Sequence, residues 1–298
     1  MILNTGAGTG SAHDAAAQLR EHFAAAGVAA QVMVAHGEDI PLLARRAVRE
    51  GHPVVVAAGG DGTVNAVATH VAGSRSALGV LPMGTLNHFA RDAGIPVELE
   101  AAVRTIAAGH RMRVDVGAVN GKVFVNNSSI GLYPTVVTRR DNRRRRHGSG
   151  KWTALFWASL TVLRKHPMLD VAVAVDGDTT RYRTPLIFIG NNEYVVEGPG
   201  AGHRGGLCDG KLSLYITRRH GRRGLLALAL RALTGSLRDA LDLEALTASS
   251  VTIATRRRYI LVATDGEVSV MPTPLAYETR AGVLEVLVPA PQPRQAGA

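Results

Sequence analysis

Three glycine turns hold the residue types best suited to gripping a phosphate chain. Gly59-Gly60-Asp61-Gly62-Thr63 places three glycines in five residues, so the backbone can turn sharply and approach a ligand without Cβ collisions. An apolar run, Val54 to Ala58, precedes it. A helix is predicted from Thr63, and its N-terminus offers unpaired N–H groups and a positive dipole end that suit phosphate. Asp61 would repel phosphate, which favours ribose hydroxyls or magnesium as its partner; the alternative is an ordinary tight turn with an N-capping Asp. Gly84-Thr85-Leu86-Asn87 follows Pro82-Met83 in the same way. Asn4-Thr5-Gly6-Ala7-Gly8-Thr9-Gly10-Ser11 is a third such turn and lacks the Gly-Lys-Ser/Thr of a Walker A loop. Three turns at strand ends predict one crevice binding a nucleotide phosphate chain.

The elements that must position these turns alternate. A strand stub at Ile2-Leu3 precedes a helix from an N-cap at Ser11 to about Ala26, closed by Gly27. A strand over Ala29–Ala35, a helix over about Asp39–Glu50 and the buried strand Val54–Ala58 follow. A strand over Leu78–Leu81 and helices near Thr85–Ala93 and Val97–Ala108 complete a doubly wound α/β pattern. Past about Arg111 the pattern changes to short strands with turn signals. Asn120-Gly121 and Asp176-Gly177 are strong hairpin markers, and strands are predicted over Val171–Val175, Thr184–Gly190, Lys211–Thr217, Val251–Ala254, Tyr259–Thr264 and Val283–Val288. Helices are predicted near Gly150–Lys165 and Arg222–Thr234. The expected architecture is an α/β nucleotide-binding domain over residues 1–112, to which about 282–298 returns, and a mainly antiparallel β-sandwich over 113–281. Only Met1-Ile2-Leu3 precede the first glycine turn, so a truncated first strand or a native start upstream is expected.

The 298 residues carry 34 Lys+Arg against 24 Asp+Glu, a net charge of +10, with 46% hydrophobic residues. That composition excludes a disordered chain. The single cysteine, Cys208, excludes an intramolecular disulfide framework and points to a reducing compartment. The excess charge is concentrated. Arg139, Arg140, Arg143, Arg144, Arg145 and Arg146 lead toward Trp152-Thr153-Ala154-Leu155-Phe156-Trp157, which holds both tryptophans of the chain. A polybasic run beside an aromatic apolar helix has the composition of a contact with an anionic membrane surface; the alternative is a solvated loop before a core helix. Nucleic acid is not the expected partner, because aromatic residues are only 4% and no nucleic-acid-binding signature accompanies the charge.

Gly59 to Thr63, followed by Pro82-x-Gly84-Thr85-x-Asn87-x-Phe89-Ala90, Asp209-Gly210-x-Leu212 and Thr264-Asp265-Gly266-Glu267, resembles the diacylglycerol kinase catalytic-domain family, with its bacterial lipid kinases and sphingosine kinases. The motifs fall in family order over nearly the whole chain. The resemblance implies an ATP- and Mg2+-dependent kinase acting on a lipid hydroxyl, cytoplasmic and peripherally membrane-associated, and a homodimer is among its expected states. It implies that Asn4, Gly6, Gly8, Gly59, Gly60, Asp61, Gly62, Thr63, Gly84, Thr85 and Asn87 hold ATP. It also implies that Asp265 is the general base, Glu267 its companion acid and Asp209 an acid near magnesium. Read from the residues alone, Asp265-Gly266 is a hairpin turn sooner than a site, since Asp-Gly between strands is the commonest hairpin signal; the resemblance reverses that preference. His88 stands where the family usually has Asp, Ala66 where Glu is common and Cys208 where Asp is frequent, so the metal site is expected to diverge. The alternatives are an NAD kinase-like enzyme acting on a soluble small molecule and a non-catalytic nucleic-acid binder.

Overall fold

The computed structural model describes residues 1–5, 12–131, 134, 168–195, 203–217 and 243–290. The chain divides into two units, Met1–Val114 with Gly282–Ala298, and Asp115–Ala281.

In the first unit, β1 (Ile2–Asn4), β2 (Met33–Ala35), β3 (Val54–Gly59) and β4 (Ala77–Pro82) alternate with α1 (Ala12–Ala25), α2 (Ile40–Arg49), α3 (Asp61–Val71), α4 (His88–Asp92) and α5 (Leu99–Ala108). The strands pair in parallel in the order β2-β1-β3-β4. The C-terminal end of a long strand, β16 (Leu275–Leu287), then adds beside β4, with Val286 opposite Leu78. Helix α1 packs with α5, and α2 with α3, so the sheet is covered on both faces. Accordingly β4 is buried at every position and β3 at all but its first, which explains runs of apolar residues without alternation. At Gly79 the cover comes so close that a Cβ would lie 2.9 Å from Val56 Cγ2 and 3.3 Å from Ile106 Cδ1 of α5. Strand order reverses between β1 and β3, since β2 lies on one side of β1 while β3 and β4 lie on the other. Such a reversal opens a crevice at the carboxyl ends of the two strands.

The second unit is antiparallel. β7 (Asn127–Gly131), β10 (Leu186–Asn191), β11 (Leu212–Thr217), β12 (Leu243–Ala248), β14 (Tyr259–Thr264) and β15 (Glu267–Pro272) form a six-stranded sheet in the order β12-β11-β10-β7-β14-β15. β8 (Leu169–Val175), β9 (Asp178–Thr184), β13 (Ser250–Thr255) and the first half of β16 form a second layer. Inward residues of both layers, among them Ile187, Ile189, Leu214 and Val262 from one and Val171, Val173, Ile253 and Tyr277 from the other, share one core. β5 (Arg111–Val119) and β6 (Lys122–Phe124) form a hairpin on Asn120-Gly121. There the Phe124 ring fills the space above Gly117 and meets Tyr277 edge-on at 6.3 Å.

Several element bounds differ from expectation, each for a local reason. α3 starts at Asp61 rather than Thr63, so the glycine loop is itself the first helical turn. The strand expected over Ala29–Ala35 is confined to Met33–Ala35. α4 covers only His88–Asp92, because Asn87 adopts a left-handed conformation (φ 50°) at its cap. β9, β12 and β15 are additional strands. The Ser11 cap and the helices expected near 150–165 and 222–234 lie outside the described residues.

Candidate active site

Within the first unit, the three strand-end turns are tied to one another. Asn4, the last residue of β1, donates from Nδ2 to Thr63 Oγ1 at 2.8 Å, tying the end of β1 to the first turn of α3, which follows β3. Thr63 is buried and lies so close to Gly59 that any Cβ there would overlap its hydroxyl. Gly60 and Gly84 meet backbone to backbone, with a Cβ on Gly60 only 3.3 Å from Gly84 Cα. The Gly84 turn is held by Asn87, which accepts from Gly84 N–H through Oδ1 and donates to Gly84 O through Nδ2, both at 2.9 Å. Asp61 Oδ1 accepts from Phe89 N–H at 3.2 Å. The carboxylate therefore spans the two turns and caps the helix opening at His88, not its own. Gly62, by contrast, has no atom within 4 Å of a built Cβ and is exposed, as are Thr85, Leu86 and His88. Buried residues bind the turns together and exposed ones line their open side. Gly6 and Gly8 lie outside the described residues.

Within the second unit, Asp265 occupies the tight turn between β14 and β15, at φ 46° with Gly266 at 85°, so the hairpin signal is real. Its side chain folds back under the neighbouring chain. Oδ2 accepts from Val125 N–H at 2.7 Å, and Oδ1 accepts from Asn126 and Asn127 N–H, both at 2.9 Å. Asp265 N–H donates to Asn127 O at 2.9 Å. Burial pushes the carboxyl up to about 6, opposed by the amides of Asn127, Val125 and Asn126 and by the Arg204 charge. Glu267 is exposed and lies 3.6 Å from Lys122 Nζ. Asp209 is exposed. Its N–H donates to Asn192 Oδ1 at 3.2 Å, and the following Gly210 N–H donates to Asp115 Oδ2 at 2.7 Å. Cys208 is held above the usual thiol range by burial and by the carboxylates of Asp115 and Asp209, which makes it a poor nucleophile.

Comparison with known proteins agrees with both halves. The diacylglycerol kinase catalytic domain matches residues 1–119, and the YegS C-terminal NAD kinase beta sandwich-like domain matches residues 128–288, more than half of the chain. The chain belongs to the diacylglycerol kinase catalytic-domain family. Relatives named diacylglycerol kinase from Staphylococcus aureus strains JH9 and Newman are each 34% identical over 154 residues, covering 51% of this chain and 48% of theirs. The chain thus matches these relatives over about half of their length. A Bacillus anthracis strain Sterne structure provisionally described as a diacylglycerol kinase superposes with a TM-score of 0.74 at 25% identity, over 97% of this chain and 94% of its own. A second structure from that strain, also called a diacylglycerol kinase, gives 0.66 at 22% identity over 97% and 95%, a likeness of fold.

For a member of the diacylglycerol kinase family, the acids available within each unit are of a type that suits a hard cation. Asp61 in the first unit and, taken separately, Asp209 and Asp115 in the second are carboxylates, the ligand type that magnesium takes singly or in pairs alongside waters and substrate phosphates. Among the described residues no group of three or more His, Cys, Asp or Glu could form a protein-only cage, and magnesium does not need one. The sequence did not single out Asp115, Asn191, Asn192 or Arg204, all of which are buried around the Asp209 and Asp265 turns. Asn191 Nδ2 joins Asp115 O at 2.9 Å to Val125 O at 3.0 Å, linking the two turns. Neither the period of a strand nor the chemistry of a lone Asn marks such a role; an Asn-Asn pair at a strand end was the only available signal.

Proposed function

We propose that the protein is an ATP-dependent lipid kinase that transfers the γ-phosphoryl group to a hydroxyl of diacylglycerol or a related lipid. The observation that carries this reading is the Asp265 carboxylate, fixed by the N–H groups of Val125, Asn126 and Asn127 and pushed up to about 6 by burial. Such a group is ionised at neutral pH yet more basic than an exposed aspartate, which suits a general base. Oδ2 accepts a single N–H, leaving lone-pair capacity for the lipid hydroxyl whose proton it would take. Glu267 serves as its companion acid. In the first unit, Asn4, Gly59, Gly60, Asp61, Gly62, Thr63, Gly84, Thr85 and Asn87, with Gly6 and Gly8, hold ATP. The tied, glycine-rich turns favour close backbone approach to its phosphates. Asp209 is the carboxylate that would hold magnesium, which when bound would neutralise charge on the transferring phosphoryl group. The protein's share of such a transfer is positioning and electrostatics. The unit Asp115–Ala281 takes the lipid, and Arg139, Arg140, Arg143, Arg144, Arg145 and Arg146 hold the protein at an anionic membrane surface. No helix among the described residues is long and apolar enough to cross a membrane.

The second reading, an NAD kinase-like enzyme, is favoured by the likeness of the sandwich to that of NAD kinases. Both are tested by incubating the protein with γ-labelled ATP and magnesium, either with vesicles of phosphatidylglycerol carrying diacylglycerol or with NAD. Label in the lipid fraction is expected. Label on NAD, with none in lipid, overturns the lipid-kinase reading.

A further inference from the structure

Arg204 is a cation almost wholly withdrawn from water, 7% exposed. Burial of a guanidinium is costly unless its donors and charge are answered. Here Nη1 donates to Val125 O at 2.6 Å and Nη2 to Asn126 Oδ1 at 2.9 Å. Val125 and Asn126 are two of the three residues whose N–H groups hold the Asp265 carboxylate. One planar group thus grips the acceptor side of a turn whose donor side grips Asp265. Asn191 Nδ2 shares the Val125 carbonyl at 3.0 Å, and Tyr194 Oη donates to Asn126 O at 3.2 Å, so the turn is held at several points and cannot relax cheaply if one is removed.

The other titratable groups around Asp265 do not duplicate this charge. Glu267 on β15 is exposed and faces Lys122 of β6 at 3.6 Å. Tyr277 on β16 is buried, kept neutral by that burial, and shares a hydrogen bond with Ser128 of β7. Asp115 on β5 directs Oδ2 to Gly210 N–H. Arg204 is the cation whose charge acts on the Asp265 carboxyl.

We propose that Arg204 is a positioning residue for the Asp265 base, clamping the Val125–Asn126 turn that supplies its N–H donors and setting the charge beside it. The inference rests on the reading of Asp265 as general base, but its central claim concerns Asp265 itself and is measurable without turnover.

The test follows the Asp265 carboxyl by 13C NMR titration of the full-length protein, alongside kcat against pH with diacylglycerol in phosphatidylglycerol vesicles. Arg204→Met, Arg204→Lys and Asp265→Asn are compared with wild type. Arg204→Met is expected to raise the Asp265 midpoint by about one pH unit, the lower end of the effect of an adjacent arginine on a carboxylate, and to move the acid limb of kcat with it. Arg204→Lys keeps the charge but loses the two-point grip. It is expected to leave the midpoint within about 0.3 unit while lowering the plateau kcat about tenfold, as small misplacements do. An unmoved or lowered midpoint in Arg204→Met overturns the inference. Should Arg204→Met not fold, Arg204→Lys decides alone, since a wild-type plateau there removes the clamp. If Asp265→Asn keeps turnover, the base reading fails, and the NMR midpoints still decide the role of Arg204.

Discussion

The Asp265 carboxylate holds three neighbouring N–H groups, and the base role proposed for it makes a second demand on the same atoms. At φ 46° the backbone favours Asn or Asp over other non-glycine residues, so Asp265→Asn keeps the turn. An amide, however, presents one acceptor and one donor group, and cannot accept from all three of Val125, Asn126 and Asn127. Asp265→Asn is therefore expected to abolish phosphoryl transfer and to destabilise the protein by about 1–3 kcal/mol, the cost of one buried N–H left without an acceptor. ATP binding by the other unit should be retained, as calorimetry would show; retained turnover would remove Asp265 from the chemistry. The pH dependence has a definite sign. The folded carboxyl titrates at about 6 against an ordinary 3.8, so the folded chain holds this proton more tightly than the unfolded one. Its contribution to stability is full below about pH 4 and is lost as pH rises to about 6. The melting temperature of wild type relative to Asp265→Asn should fall across that window. An opposite slope would mean that the three amides outweigh burial.

At the scale of elements, the glycines of the Gly59–Thr63 and Gly84–Asn87 turns divide by what surrounds them. A Cβ at Gly84 would lie 2.8 Å from Asn87 Oδ1 and collide with Gly60 Cα, a backbone atom that cannot move aside. Gly84→Ala is expected to lower stability by more than about 1 kcal/mol. Gly62→Ala meets nothing within 4 Å on a helix where Ala is the better residue. It should leave the melting temperature unchanged or slightly raised while weakening ATP binding, if the open side of the turn is where phosphate lies. Equal effects of the two on ATP affinity and on stability would contradict this division. The alternation of β3, α3 and β4 was legible because buried parallel strands read as unbroken apolar runs and the glycines mark their ends. So were the hairpins at Asn120, Asp176 and Asp265, where positive φ demands Asn, Asp or Gly. β9, Asp178–Thr184, was not, because an edge strand with Arg181 and Arg183 exposed resembles a polar loop. Asp61 stood out in the sequence as a candidate site residue, but its cap on the helix opening at His88 did not, since that contact spans 28 positions. Arg204 gave no sign at all: its partners, the Val125 carbonyl and the Asn126 side-chain oxygen, lie 79 and 78 positions away in the chain.

For the whole molecule, the proposed contact with a membrane surface rests on charge. The run from Arg139 to Arg146 carries six arginines and one aspartate, enough for about 1 kcal/mol per residue near an anionic surface. Replacing Arg143, Arg144, Arg145 and Arg146 with Gln should reduce sedimentation with phosphatidylglycerol vesicles by more than tenfold at low salt, with little change in ATP affinity. Wild-type binding should weaken steeply as ionic strength shortens the Debye length. Salt-insensitive binding would point to the aromatic segment instead.

The path of β16 bears on how this protein is made. Its first half pairs with β13, while Val283 O receives Gly73 N–H, Glu285 meets Arg111 and Arg113, and Val286 lies beside Leu78 of β4. A ribosome therefore delivers the outer neighbour of β4 only after the intervening sandwich has been synthesised. Until then the nascent first unit presents an open, wholly apolar strand edge of the kind that recruits other chains. A fragment ending at residue 119 should aggregate on expression, and supplying residues 275–290 as a separate peptide should restore it to solution.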